Sequence, residues 1–423
     1  MIKFLFKGLM RDRSRSLLPI IVVALGVMIT VFLQAYMSGV LGDSIETSAN
    51  FSTGQVKVMT RAYSENRSQL PNDLAIVDAE KLTNSLRKQF PNMTFTERIQ
   101  FGGLLDVPDS LGETRAQANV MGIAIDVLNS DVEIKRMDLQ KNLLKGTFPK
   151  NPGDVMLSDE LFQKMNLKLG DVVTLISSSM YGEMAMYNFQ VSGTLHFGIN
   201  SLDRGTMIAD INDVRFALNM ENASGEILGY VNGETYDNDN AKEIAATFNK
   251  EYEGDADEFA PVMMTLGEMD GMGFLVSYAE NMQFLIVGIF IFAMAIVLWN
   301  AGLIGALRRY GEFGLRLAIG ESKREIYTTL IGEAFLIGIV GSIIGSILGL
   351  LLSWYMQEVG LNVGEMLKDS TMMLPTIMHA HISTTTYYIG FLPGILSTVL
   401  GAMLAGIGIY KRQTANLFKE LEA

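Results

Sequence analysis

Few residues in this chain could carry out covalent chemistry. It has no cysteine and three histidines, His196, His379 and His381, which excludes a disulfide frame, a thiolate nucleophile and a His-rich metal site. Asp203 follows His196 closely enough to suggest a dyad. No Ser-x-Gly elbow accompanies them, however, and a lone histidine beside a turn is the simpler reading. Asp237, Asp239, Glu251, Glu253, Asp255, Asp257 and Glu258 offer the carboxylate oxygens that calcium takes, but not the spacing of an EF-hand loop, so they read as a solvated surface. No G-x-x-x-x-G-K-S/T loop is present to cradle a nucleotide. The expectation is a chain with no catalytic residue, no metal and no cofactor of its own.

The most informative spacing concerns a contact. From Leu307 to Ile326 the chain holds a short amphipathic stretch, closed by glycines and then restarted as an apolar helix. Leu315, Ala318 and Ile319 fall on one helical face, with Arg316 and Lys323 elsewhere. Such a helix suits either the surface of a membrane or a groove on a soluble partner. A preference for basic residues on the cytoplasmic side explains its charges, but not its glycine-bounded apolar face.

The elements that position this stretch are membrane spans. At 49% hydrophobic and 19% charged, the chain is too apolar for an ordinary soluble protein and too charged to be wholly embedded. Four segments, 17–40, 282–307, 327–355 and 385–410, are long and apolar enough to cross a bilayer. The first is longer than the apolar core of a signal peptide and has no A-x-A site after it, so it reads as a retained anchor. Gly341, Gly345 and Gly349 lie four apart in the third span, where small residues let a second helix approach. Pro393, with Gly390 and Gly394, predicts a kink in the fourth. No span carries the paired carboxylates or histidines of a proton relay, and Glu333 near a helix end reads as a snorkelling side chain.

Charge orients the spans. Segment 43–280 holds 36 acidic residues against 19 basic ones, whereas the remainder holds 14 basic against 10 acidic. Thirteen of those 14 lie in the N-terminal segment 1–16, the connection 308–326 and the tail 411–423. Placing all three in the cytoplasm leaves 41–281 and the loop 356–384 outside. An acidic external block also argues against binding nucleic acid. Alternating apolar runs predict strands at 55–60, 95–106, 117–125, 171–176, 188–195, 205–209 and 226–231. Helical periodicity appears at 78–90, 158–165, 211–218 and 240–251. The block is therefore α+β, with a strand-rich subdomain inserted at 131–204. Met263, Met264, Met269, Met272 and Phe274 lead into the second span, as ordinary junction packing or as an adaptable apolar surface.

On the residues of the 307–326 connection, the chain resembles the FtsX/MacB/LolC superfamily of ABC permeases. Their loop reads approximately R-x-x-E-I-G-(I/L)-R-x-A-x-G-A, which Arg309, Glu312, Gly314, Arg316, Ala318 and Gly320 match in register. Phe313 stands for the usual Ile and Glu321 for the usual small residue. The start of the first span, from Arg11 to Gly26, and the one-plus-three arrangement of spans around a large external domain are also similar. The resemblance implies a membrane protein whose porter-like external part is interrupted by a strand-rich one. It implies mechanotransmission: Arg309, Glu312, Phe313, Gly314, Arg316, Ala318, Gly320 and Lys323 would meet a separate ABC ATPase. Two copies of that ATPase would supply ATP and Mg, beside a second permease, identical or homologous.

Among stand-alone permeases the plan is most similar to the lipoprotein-releasing LolC/LolE pair, with similar runs at 122–126, 144–146, 154–175 and 193–203. That implies extraction of a lipoprotein or another amphiphile from the lipids of a bacterial inner membrane, toward a periplasmic carrier. The alternatives are adaptor-dependent efflux of peptides or drugs, a signalling permease that controls a cell-wall hydrolase, and a membrane sensor independent of ATP.

Overall fold

The computed structural model describes residues 13–109, 112–232, 236–269, 272–308, 310–366 and 374–411. It opens with one long helix, α1 (Arg13–Ser48), extended by a π-helical turn, Ala49–Thr53. A mixed domain follows: β1 (Val56–Thr60), α2 (Arg61–Asn66), α3 (Ala79–Gln89), β2 (Met93–Pro108), β3 (Thr114–Ile125), α4 (Val132–Arg136), β4 (Leu143–Gly146), β5 (Asp154–Ser158), α5 (Asp159–Lys164), β6 (Val172–Ser178), β7 (Met184–Leu195), α6 (Asn200–Asp203), β8 (Thr206–Asp210), α7 (Ile211–Ala217), β9 (Glu226–Val231), α8 (Asn238–Asn249) and β10 (Pro261–Thr265). The chain then runs through α9 (Met272–Arg308), α10 (Tyr310–Ala318), α11 (Lys323–Val359), α12 (Thr386–Ile389) and α13 (Phe391–Lys411).

Two compact units result. The first is helical and takes the chain through Leu41, from Tyr278 to Leu361 and from Met378 onward. Among the described residues, four helical stretches in the chain are long and apolar enough to cross a membrane. A hydrocarbon core needs about 20 helical residues. α1, α9 and α11 have 36, 37 and 37, because helical residues continue past the apolar windows. The expected spans 17–40, 282–307 and 327–355 are the apolar centres of these longer rods. In the fourth span α12 stops at Ile389 and α13 begins at Phe391. Pro393 falls in the first turn of α13, where its missing N–H removes no helical hydrogen bond. Val23, Val27 and Val31 of α1 form the bundle core with Val287, Met294, Leu298 and Ile389.

The second unit, Gly42–Ser277 with 362–377, is built on one ten-stranded sheet among the described residues, with path β10-β1-β9-β2-β3-β8-β5-β7-β4 and β6 pairing with β2 and β7. β2 spans both halves of it. Residues Met93 to Arg98 pair with β9, and Ile99 to Pro108 pair with β3. One core, including Val58, Leu86, Phe95, Ile227 and Phe248, lies on the β9 side. Another, including Ile99, Phe101, Leu157, Phe189, Val191 and Met207, lies beyond the crossover.

Strands on both sides of 131–204 take part in one core. β5 pairs with β8 and β6 pairs with β2, so strands outside those limits close the same core. The loop expected at 356–384 also gives its residues 362–377 to this unit. There Thr376 N donates to Gly198 O at 2.9 Å and Asn200 Nδ2 donates to Gly364 O at 3.1 Å.

Candidate functional site

The geometry of the 307–326 connection follows from its caps. Gly320 has φ +94°, a left-handed conformation that a Cβ would strain. Glu321 N donates to Arg316 O at 3.0 Å and Gly320 N to Leu317 O at 3.1 Å, the paired bonds of a Schellman ending. The chain restarts two residues later with a capping box. Ser322 Oγ accepts from Glu325 N at 3.3 Å, and Ser322 N donates to Glu325 Oε2 at 2.8 Å.

α10 is consequently a short, well-terminated helix with two unlike faces. Phe313 is fully buried and packs with Ile326, Leu317 and Leu330, which docks α10 on the first turns of α11. A small apolar cavity of about 20 Å³ lies here, lined by Phe313, Leu317, Lys323, Ile326, Tyr327, Leu330 and Gly406. On the other face Leu315 is 66% and Ile319 78% exposed, with Ala318 and Gly320 also exposed. Arg316 points along neither apolar face. Its Nε and Nη2 meet Glu321 Oε2 and Oε1 at 2.6 and 2.5 Å, a bidentate pair across the turn. Glu312 is half-buried and Gly314 is buried in the first turns of α10, and Lys323 opens α11. Arg309 lies outside the described residues.

The glycine seam has a partner. A Cβ on Gly341 would lie 2.7 Å from Val23 Cβ, one on Gly345 2.5 Å from Ala24 O, and one on Gly349 2.8 Å from Val31 Cβ. The three glycines thus receive a ridge of α1, spaced by the same four residues. Gly394 and Gly390 bring α13 and its preceding break onto Ser342 and Ser346 in the same way, at 2.0 and 2.9 Å. Thr386 Oγ1 donates to Gln34 Oε1 at 2.9 Å, adding a buried polar link between the fourth span and α1. Glycine spacing pointed to a seam in the third span, but not to Val23, Val27 and Val31 as its ridge. A β-branched residue every fourth position in α1 was the available signal.

Elsewhere the other candidates resolve into structural roles. His196 Nδ1 lies 3.2 Å from Asp203 Oδ2, but that carboxylate also accepts Phe197 N at 2.6 Å and Ile199 N at 3.2 Å and so organises its own turn. Burial pushes the Asp203 carboxyl up. Asp237 caps α8, accepting from Asp239 N and Asn240 N. Met263, Met269 and Met272 are buried, Met269 and Met272 in a core with Met59, Tyr63 and Leu266, whereas Phe274 remains exposed.

Residues 284–414 match the family model described as FtsX-like permease C-terminal. No curated protein matches the chain. Among solved structures it is similar to the periplasmic region of MacB from Actinobacillus actinomycetemcomitans, at 15% identity and a TM-score of 0.36, covering 55% of this chain and 96% of that one. The part of the chain that holds α10 and the last three membrane helices thus carries an FtsX-like permease C-terminal domain.

Proposed function

We propose that this chain is the membrane half of a mechanotransmitting ABC transporter, driven through α10 by an ATPase carried on another polypeptide. The resemblance to the FtsX/MacB/LolC permeases implies an ABC ATPase partner, and the FtsX-like match over 284–414 supports that general kind of partner. The observation that carries the reading is the division of α10: Phe313 and Leu317 fasten it to α11, while Leu315, Ala318 and Ile319 are left bare on a helix whose C-terminal end is fixed by its cap. An amphipathic helix with apolar anchors at i, i+3 and i+4 suits a groove on a soluble partner. Arg316 and Glu321 hold the turn that aims it.

In this reading both termini and α10 are cytoplasmic and the acidic sheet domain is periplasmic, in a bacterial inner membrane. Two such permeases, identical or homologous, pair over two ATPase subunits that bind ATP and Mg. Closure of the ATPases moves α10 and, through the long α9 and α11, the rest of the chain. The work serves extraction of a lipoprotein or another amphiphile toward a periplasmic carrier. Support for that substrate class is the set of sequence runs in its external block that are similar to those of the lipoprotein-releasing pair.

The test is retention of an ATP-hydrolysing subunit after mild detergent extraction of native membranes. Wild type should retain it, and the Leu315→Asp/Ile319→Asp variant should lose at least about tenfold of it, which corresponds to 1.4 kcal/mol. Equal retention by both would remove α10 as the contact. No ATPase with either would remove the transporter reading itself.

A further inference from the structure

In the sheet domain, Arg98 is fully buried on β2. Its guanidinium donates to Phe51 O at 2.7 Å, to Asn50 O at 3.0 Å and to Glu133 Oε2 at 2.5 Å. Glu133, itself buried, also accepts from Thr96 Oγ1 at 2.5 Å. Asn50 and Phe51 belong to the π-helical turn that ends the helical run begun by α1. The last carbonyls of a helix lack partners within it and carry the negative end of its dipole. A planar fork of donors is the side chain best suited to take two of them together.

The place of Arg98 in the sheet is equally specific. The pairing of β2 with β9 ends at Arg98 opposite Glu226, and its pairing with β3 begins at Ile99 opposite Ala124. Arg98 therefore sits where β2 passes from one half of the domain to the other. Glu226 is occupied on its own side by Lys57 Nζ at 2.7 Å and Gln100 Nε2 at 3.2 Å. Glu133 comes from α4, whose Ile134 packs in a core with Phe51, Ile125, Met156 and Leu195 beyond the crossover. From the same helix Arg136 lies 4.5 Å over the ring of Tyr230 on β9. Three parts of the chain thus meet at one cation: the end of α1, the crossover of β2, and α4.

Stability alone is a poor account of such a pair. Apolar residues of the same volume usually serve as well as a buried ion pair, whose better attested role is to hold a register. We infer that Arg98 is a positioning residue through which α1 sets the relation between the two halves of the sheet domain. An axial pull on α1 reaches the carbonyls of Asn50 and Phe51, and through Arg98 it reaches the one strand that both halves share. This rests on the reading of the chain as a permease moved by an ATPase.

The experiment uses the full chain with its co-purified ATPase in lipid nanodiscs. The absence of native cysteines allows spin labels at Glu160→Cys and Lys242→Cys, exposed positions on opposite sides of the crossover. Wild type is expected to change its inter-label distance distribution on addition of ATP. Arg98→Met/Glu133→Leu, which removes both charges together, is expected to retain the ATPase and its hydrolysis but lose that change. Amide exchange at 49–54 should speed up about tenfold while β9 stays protected. Arg98→Lys keeps a cation for Glu133 without the fork to both carbonyls, and should lose at least half of the change even if the double variant fails to fold. A full wild-type change in Arg98→Lys, or in a folded double variant, overturns the inference and leaves the transporter reading standing. A wild-type complex that binds no ATPase or shows no change with ATP overturns both.

Discussion

Two stretches of the membrane unit use apolar side chains in opposite ways. In α11 the smallest ones, Gly341, Gly345 and Gly349, are covered by Val23, Val27 and Val31, while large neighbours such as Ile344, Ile347 and Leu351 face outward. In α10 large side chains are divided, with Phe313 buried and Leu315 and Ile319 bare. Between helices in lipid there is no hydrophobic gain in burying a leucine, because the tails are as apolar as the side chain, so close backbone approach decides what goes inside. That rule explains α11 without any partner. The short α10 is closed at its C-terminal end by the paired bonds of Gly320 and Glu321, and it leaves Leu315 and Ile319 exposed beside Arg316. The contrast separates residues that hold the bundle together from residues that face outward to something else.

The largest effect should come from filling the seam. In Gly345→Leu the first added atom would stand 2.5 Å from Ala24 O, and overpacking at such a site costs about 3 kcal/mol or more. The expected result is a much lower melting temperature in detergent, or no monodisperse protein. Wild-type melting would break the contrast by showing that α1 and α11 do not depend on close approach. Next come changes at α10 that should leave the bundle intact. Glu312→Lys or Gly320→Trp is expected to insert normally yet uncouple ATP hydrolysis from substrate movement, with about 1–2 kcal/mol of local strain at Gly320 from its left-handed backbone. Normal coupled activity in both would detach this helix from the ATPase.

Smaller effects sharpen the description of the turn. Removing the bidentate partner in Glu321→Ala should cost about 1 kcal/mol and speed amide exchange at 319–323, with no change at Gly345. An unchanged exchange pattern would mean that the Schellman bonds alone hold the ending. Ser322→Ala removes one side of the capping box and should lower stability by about 1 kcal/mol. Thermal melting of the purified chain measures it.

Much of the fold was legible because it depends on local period. The four apolar stretches, the seven expected strands and the amphipathic helices at 79–89 and 238–249 all correspond to observed elements. Three strands of the ten-stranded sheet escaped. β5 starts directly after the turn signal Asn151-Pro152-Gly153, β4 is a four-residue edge strand, and β10 begins at a proline, so none shows a clear alternation. The core shared across 131–204 was not legible because strand pairing is not local: nothing near residues 99–125 says that they share a core with β5 and β7. At α10 the apolar face was legible from spacing, whereas Glu321, read only as a departure from the family pattern, proved to be the partner of Arg316.

What the amino-acid sequence determined by itself was the solvent of each segment: length and apolarity placed four helices in lipid, and alternation built a sheet outside them. It also set the end of α10 and the start of α11, since Gly320 and Ser322 act within one turn. Only the tertiary structure decided which surfaces meet. Val27 against Gly345, Arg98 against the carbonyls of Asn50 and Phe51, and β2 as the strand common to both halves all join residues far apart in the chain. Each depends on shape and donor geometry after the chain has closed, and no local period records those.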